Sequence, residues 1–259
     1  MADLIFGFLT NKFQPFQPNL IQRLEATQLQ TMARPSATST HSLITAWLIA
    51  YNVASFAGWA YVLYQISISM VYSGGNYEAS YASVGHLLSI VQLCALLEVV
   101  HAFVGAVKSP VGTTAMQVAS RLFLIALCYL LPNTGIREHV AFTTMVLAWS
   151  ITEVVRYSYY AASLMNVHVP LLTWARYTFF YLLYPLGAGS ELWLVVVSIT
   201  SAYQESLWAY YFLVFATVVL YMSGLYIMYT YMIRQRSKYL NGDVAGSSSK
   251  KAIRRKKDM

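Results

Sequence analysis

The sequence predicts an all-α membrane protein, a bundle of six transmembrane helices with both termini in the cytosol. Three observations predict it. Hydrophobic residues make up 58% of the chain and charged residues only 10%, against about 25% charged in an average soluble domain. The apolar residues gather in six long stretches. Basic residues crowd the C-terminal end, where nine of the 17 Lys and Arg lie between Arg234 and Lys257. A soluble domain of this composition would lack the polar surface that keeps it dissolved.

Residues 1–41 are rich in Gln, Thr, Pro and Ser and carry no long apolar run. They read as a disordered cytosolic tail. The opening MADLIFGFLTNK lacks the basic n-region and the apolar h-region of a signal peptide. The six apolar stretches follow at 42–64, 83–107, 112–131, 139–163, 171–199 and 207–233. Each reaches the ~20 residues that cross a hydrocarbon core of ~30 Å. Backbone groups must find partners internally there, so each stretch is expected to be a helix. Residues 42–233 thus form one transmembrane domain. The fifth stretch contains Pro185, Gly187 and Gly189, and is expected to tilt, kink or partly unwind. No internal repeat is visible, which weighs against an inverted-repeat transporter.

The segment 234–259 is a basic tail. The positive-inside rule places it in the cytosol, and an even number of spans brings the N-terminus there too. Lys12, Arg23 and Arg34 agree with that side, as does the absence of Lys and Arg from 65–82. After a long apolar region such a tail reads as an anchor beside anionic lipid, not as a nucleic-acid arm. The chain ends KKDM, with Lys256 and Lys257 four and three places from the end. That is the dilysine pattern of proteins retrieved to the endoplasmic reticulum. Cys94 and Cys128 sit inside apolar runs, without metal-site or redox spacing, and read as small buried residues.

The informative residues are those that lipid should exclude. Asn52, Glu98, His101, Arg121, Glu153, Arg156, Arg176 and Glu191 all fall within the apolar stretches. A charge near the bilayer centre costs ~2.5–3.5 kcal/mol on insertion scales, so such groups face the bundle interior and find partners. Glu98 and His101 are three apart and share a helix face, as do Glu153 and Arg156. Either couple can be a structural pair. Asn52 reads as an interhelical hydrogen-bond donor, and Arg176 as a residue that snorkels to the interface or binds. Arg121 falls near the middle of the third stretch. Given the topology, most of this charge collects in the cytosolic half, which implies a polar cavity open on that side.

The fifth stretch contains YPLGAGSE, from Tyr184 to Glu191. Residues seven apart return to nearly the same helix face at a rise of ~10 Å. A bend at the intervening Pro and Gly residues would shorten that gap. A phenol and a carboxyl in one apolar cavity can carry out acid–base chemistry without metal or covalent nucleophile. Spacing alone leaves that reading open.

The run RYTFFYLLYPLGAGSE (176–191) resembles the signature of the 3-hydroxyacyl-CoA dehydratase family, also called protein tyrosine phosphatase-like A. AYNVASFAGWAYVLY (50–64), LLEVVHAFVGAVKS (96–109) and WSITEVVRYSYY (149–160) resemble further blocks of that family in the same order. The resemblance covers roughly 43–233. It implies a dehydration step of very-long-chain fatty acid elongation in the endoplasmic reticulum membrane, in which a (3R)-3-hydroxyacyl-CoA becomes a trans-2-enoyl-CoA. It implies Tyr184 and Glu191 as catalytic residues, with Glu191 as base at C2 and Tyr184 as donor to the departing hydroxyl, or the reverse. Arg176, Arg156 and Tyr177 are expected near the thioester or the CoA phosphates. Glu98, His101, Arg121, Glu153 and Asn52 are expected to support the site structurally. The resemblance implies no cofactor and no metal. Its implied partners are the acyl-CoA, membrane lipid and other elongation enzymes, a condensing enzyme and reductases, with no nucleic acid.

Phosphatase chemistry is excluded. It needs a Cys followed six places later by Arg, whereas Cys94 is followed by Val100 and Cys128 by Thr134. Two alternatives stand beside the enzyme. A transporter also explains buried charge, and a non-catalytic scaffold of elongation enzymes would bind partners without turnover.

Overall fold

A computed structural model describes residues 39–202 and scattered positions between 208 and 236. The chain divides into Met1–Leu43 and Ile44–Met259, and apart from the opening residues 39–43 of the first helix the features below belong to the second unit. The expectations for residues 1–38 of the N-terminal tail and for the dilysine at Lys256 and Lys257 lie outside the described residues, whereas 39–41, expected in that tail, are helical. In the sixth stretch the described positions are helical.

Helix α1 spans Ser39–Tyr72. Its 34 residues rise about 50 Å at ~1.5 Å per residue, more than a flat bilayer crossing needs. The helix runs eight residues beyond the apolar stretch that ends at 64, because QISISMVY holds no breaker. It stops where Gly74 and Gly75 adopt φ of 64° and 90°. The Gly75 N–H then reaches the Met70 carbonyl and the Gly74 N–H reaches Val71, at 2.8 and 3.2 Å. This is a Schellman ending, which satisfies carbonyls that the helix leaves open.

After a 3-10 turn at Tyr77–Ala79, the second stretch forms α2, Ser80–Cys94, and α3, Leu96–Phe103. Ala95 between them keeps a right-handed helical backbone. The two therefore make one slightly offset span. Helix α4, Val111–Leu130, follows Pro110. Its end is held by Arg137, which reaches back to the carbonyls of Cys128 at 2.7 Å and Tyr129 at 3.2 Å. Helix α5, Val140–Leu164, opens with the His139 ring accepting from the Ala141 N–H.

The fifth stretch departs from expectation. It divides into α6, Pro170–Arg176, and α7, Phe180–Ala202, with the break at Tyr177–Phe179. Pro185, Gly187 and Gly189 all lie inside α7, which runs on through them. Pro185 sits in the second turn, inside the helix, where its ring removes one helix bond and crowds the carbonyl four residues back, so packing must carry the helix through it. Gly187 serves packing, since a Cβ there would stand 3.6 Å from the Ala148 side chain. No local residue explains the break at Tyr177.

Among the described residues four helical segments are long and apolar enough to cross a membrane, at Ser42–Tyr72, Tyr77–Phe103, Val111–Leu130 and Phe180–Thr200. The described residues contain no strand. The chain is thus an all-α membrane protein. Helix α5 is 25 residues long but carries Glu153 and Arg156, which it can do because protein surrounds it. Its Phe142, Met145, Val146 and Trp149 pack with Trp59 and Val62 of α1, Leu88 of α2, Leu124 of α4 and Leu194 of α7. The outer surface is inverted relative to a soluble protein. Leu182, Phe123, Ile90 and Trp193 are exposed, where lipid would cover them.

Candidate active site

Helix α7 carries Tyr184 and Glu191, the two residues expected to act as acid and base, and α5 holds the carboxylate of Glu191. The Trp149 indole N–H donates to Glu191 Oε1 at 2.8 Å. One turn nearer the start of α5, the hydroxyls of Thr144 and Ser190 hydrogen-bond at 2.7 Å. With Gly187 against Ala148, these contacts fix the register of the two helices. A Cβ at Gly187 would make an ordinary contact at 3.6 Å, whereas a long side chain there would part the two helices.

Tyr184 is half-buried and within electrostatic range of Glu191. Because α7 is continuous, the pair keeps a rise of about 10 Å between Cα atoms; the expected shortening does not occur. Side chains on a helix lean towards its N-terminus, so Glu191 leans towards Tyr184. Arg121 and Tyr221 also lie within electrostatic range of Glu191, and Tyr221 belongs to the sixth apolar stretch.

Behind this pair runs a chain of charge. The Arg121 guanidinium sits 5.0 Å from the Trp149 ring centroid, and its Nη1 donates to Glu153 Oε1 at 2.5 Å. The other oxygen of Glu153 accepts from Arg156 Nε at 2.5 Å. Arg156 Nη2 in turn donates to Glu98 Oε1 at 2.6 Å. The Tyr157 hydroxyl also donates to Glu98. Two carboxylates and two guanidiniums thereby balance, with Glu153 1% exposed. A charged group so far from water requires such partners. Of the two couples expected from spacing, Glu153 and Arg156 do pair. Glu98 and His101 turn to different partners, since the His101 Nε2 accepts from Trp47 Nε1 at 2.8 Å.

Asn52 departs from its expected interhelical role. Its Nδ2 donates to the Leu48 carbonyl one turn back on α1, at 2.6 Å, because that carbonyl is the nearest acceptor to a short amide in a helix. Arg176 ends α6 among aromatic rings. Its guanidinium lies 4.9 Å from the Tyr159 centroid, 4.7 Å from Tyr160 and 6.0 Å from Tyr177, and it donates to the Tyr160 hydroxyl at 3.0 Å. Tyr177 itself is buried. Arg176 and Arg156 are thus differently engaged: Arg156 is committed to carboxylates, whereas Arg176 has rings and a phenol.

Sequence reasoning passed over Trp149 and Tyr157 as individual residues. A signal for Trp149 was present, because Trp149, Glu153 and Arg156 recur at helical spacing and share one face. The contacts of Tyr157 and Arg121 depend on which helices meet, which one span cannot reveal.

A family model described as "Protein tyrosine phosphatase-like protein, PTPLA" matches residues 92–242. The chain is 36% identical over 212 residues to the very-long-chain (3R)-3-hydroxyacyl-CoA dehydratase hpo-8 of Caenorhabditis elegans, which covers 77% of this chain and 96% of that one. It is 38% identical over 208 residues to the dehydratase PASTICCINO 2B of Oryza sativa subsp. japonica, covering 75% and 92%. It is 35% identical over 213 residues to the dehydratase 2 of Homo sapiens, covering 77% and 82%. No solved structure matches the chain.

Proposed function

The chain belongs to the protein tyrosine phosphatase-like family, PTPLA, and we propose that it dehydrates very-long-chain (3R)-3-hydroxyacyl-CoA to trans-2-enoyl-CoA within the fatty acid elongation cycle. It is a hydro-lyase, as its relatives' names describe. One observation carries the assignment of the chemistry to residues: Glu191 is held by Trp149 on the same face of α7 as Tyr184.

Elimination removes a proton from C2 and hydroxide from C3. Trp149 engages Oε1 of Glu191, and Oε2 takes the C2 proton. The electron pair left on C2 forms the double bond as the C3–O bond breaks. Tyr184 donates its phenolic proton to the departing oxygen, which leaves as water. The phenolate then recovers a proton from Glu191 through solvent, and both groups return to their starting state. Positioned acid–base groups of this kind contribute roughly 10²–10⁴-fold each. Arg176, with Tyr177 beside it, is proposed to steady a thioester oxygen or phosphates, while Arg156, bound to Glu153 and Glu98, is proposed to act through the structure of the site.

The six-span topology supports a cytosolic approach for the CoA thioester. The basic run Arg234–Lys257 favours a cytosolic C-terminus, and the terminal Lys256 and Lys257 favour retrieval to the endoplasmic reticulum. Residues 1–41 form the N-terminal tail, 42–233 the catalytic domain and 234–259 the basic tail. Other elongation enzymes, a condensing enzyme and reductases, are its expected neighbours in that membrane. Tyr184→Phe and Glu191→Gln test the residue assignment. Each is expected to lose at least about 100-fold in kcat while remaining folded. Full activity in both well-folded variants would refute it.

A further inference from the structure

The end of α5 distant from His139 is built with care that the acid–base pair does not explain. The helix closes with Asn166 at φ 58°. The Val167 N–H reaches the Ala162 carbonyl at 2.9 Å and the Asn166 N–H reaches Ser163 at 3.1 Å. This is another Schellman ending, here with Asn in the left-handed region that non-glycine residues seldom occupy. Helix α6 begins four residues later at Pro170. Between the two helices and their connection lies a cavity of about 220 Å³. Its lining includes Tyr159, Ser163, Asn166, His168, Leu172 and Thr173.

Three features identify what such a cavity takes. Its wall combines an apolar face at Leu172 with a phenol, two hydroxyls, an amide and an imidazole. A flat heteroaromatic base needs that mixture, a surface to lie on and donors and acceptors at its edge. Asn166 and His168 are exposed, so the cavity opens at the α5–α6 connection. Beside it stands a cation. The Arg176 guanidinium lies 4.9 Å from the ring of Tyr159, which also lines the cavity, and guanidinium matches phosphate oxygens in geometry and charge.

Distance supplies the fourth argument. From Trp149, which holds Glu191, to Ser163 at the cavity, α5 rises about 21 Å at ~1.5 Å per residue. Three bonds of extended chain cover about 3.5 Å, so the roughly thirteen-bond pantetheine arm of CoA reaches about 15 Å. A thioester at Glu191 therefore brings the diphosphate to the neighbourhood of Arg176 and the adenosine to the cavity beyond.

We propose that the cavity between α5 and α6 receives the adenine nucleotide end of the acyl-CoA, with Arg176 beside it on the diphosphate. The inference rests on the dehydratase reading. It assigns Ser163, His168 and Thr173 to substrate recognition and makes the α5–α6 connection the place where the enzyme tells a CoA thioester from a shorter one.

Two 3-hydroxyacyl thioesters of the same chain, one on CoA and one on pantetheine, test it with the full chain in lipid nanodiscs. The wild-type protein is expected to prefer the CoA thioester by at least about tenfold in kcat/KM. Filling the cavity with Ser163→Trp is expected to reduce that preference about tenfold through KM, while Leu171→Trp, at an exposed position of α6 outside the cavity lining, retains it. A CoA thioester bearing an 8-azidoadenine is expected to label residues 159–173 of the wild-type protein, with adenosine 3′,5′-bisphosphate suppressing the label. Labelling that maps elsewhere, or a preference unmoved in folded Ser163→Trp, overturns the inference alone. If the wild-type protein converts neither thioester, the dehydratase reading falls and the inference falls with it.

Discussion

Replacing Glu153 with Leu should leave one cation stranded inside the bundle. Glu153 is 1% exposed, and its two oxygens accept from Arg121 and Arg156, each at 2.5 Å. Arg156 also pairs with Glu98 at 2.6 Å, so it keeps a carboxylate when Glu153 is lost. Arg121 loses its hydrogen-bonded carboxylate and keeps the face of Trp149, 5.0 Å away, and the longer-range influence of Glu191. The cost is therefore that of a single uncompensated buried charge, about 3–5 kcal/mol. A domain of this size would lose roughly 10 °C in unfolding temperature. The double variant Arg121→Met, Glu153→Leu is the sharper case. Removing both ends of the pair restores neutrality and leaves Arg156 with Glu98, so most of the lost stability should return. Thermal unfolding in detergent, followed by tryptophan fluorescence or by aggregation, reads both effects. The reasoning is refuted if Glu153→Leu unfolds with the wild type, or if the double variant is no more stable than the single one.

Other substitutions probe separate parts of the site. Trp149→Phe removes the donor to Glu191 while keeping a ring beneath Arg121; the lost charge-assisted hydrogen bond, about 1.5–3 kcal/mol, should lower kcat by roughly 10–100-fold with little change in KM. Steady-state kinetics on the purified variant measures that split, and a pure KM effect would contradict it. At Gly187 a Cβ would meet Ala148 at 3.6 Å, an ordinary contact, so Gly187→Ala should fold normally. Gly187→Leu should part α5 and α7 and destabilise by about 1–3 kcal/mol, read as a lower unfolding temperature. Arg137→Ala should free the carbonyls of Cys128 and Tyr129 and cost about 1–3 kcal/mol, visible as faster hydrogen exchange at the end of α4.

Composition made the membrane class legible because lipid permits so few backbone solutions. Helix ends were less legible. Hydropathy placed the end of the first stretch at 64, whereas the helix stops at Tyr72, where Gly74 and Gly75 supply the left-handed backbone. Breaks were misread for the opposite reason. Pro185 and the glycines look like breakers, yet α7 runs on through all three, with Gly187 lying against Ala148 of α5. The actual break at Tyr177–Phe179 has no local signature. The buried charges announced that partners must exist, but not which. Spacing along one helix found Glu153 with Arg156. It had no access to Arg121 with Glu153 or Glu98 with Arg156, which arise only when α4, α3 and α5 meet. Tyr184 and Glu191 were singled out by their motif, and Trp149 emerged only when α5 was laid against α7.

The central claim is that α7 presents an acid and a base to a hydroxyacyl thioester. It is tested most directly by supplying purified protein in lipid nanodiscs with a very-long-chain (3R)-3-hydroxyacyl-CoA and no added cofactor, then weighing the product by mass spectrometry. The expected product is a trans-2-enoyl-CoA lighter by one water from the (3R) substrate, and it is expected to be lost in a folded Tyr184→Phe, Glu191→Gln double variant. An unchanged substrate, or the same product at the same rate from that double variant, would contradict it.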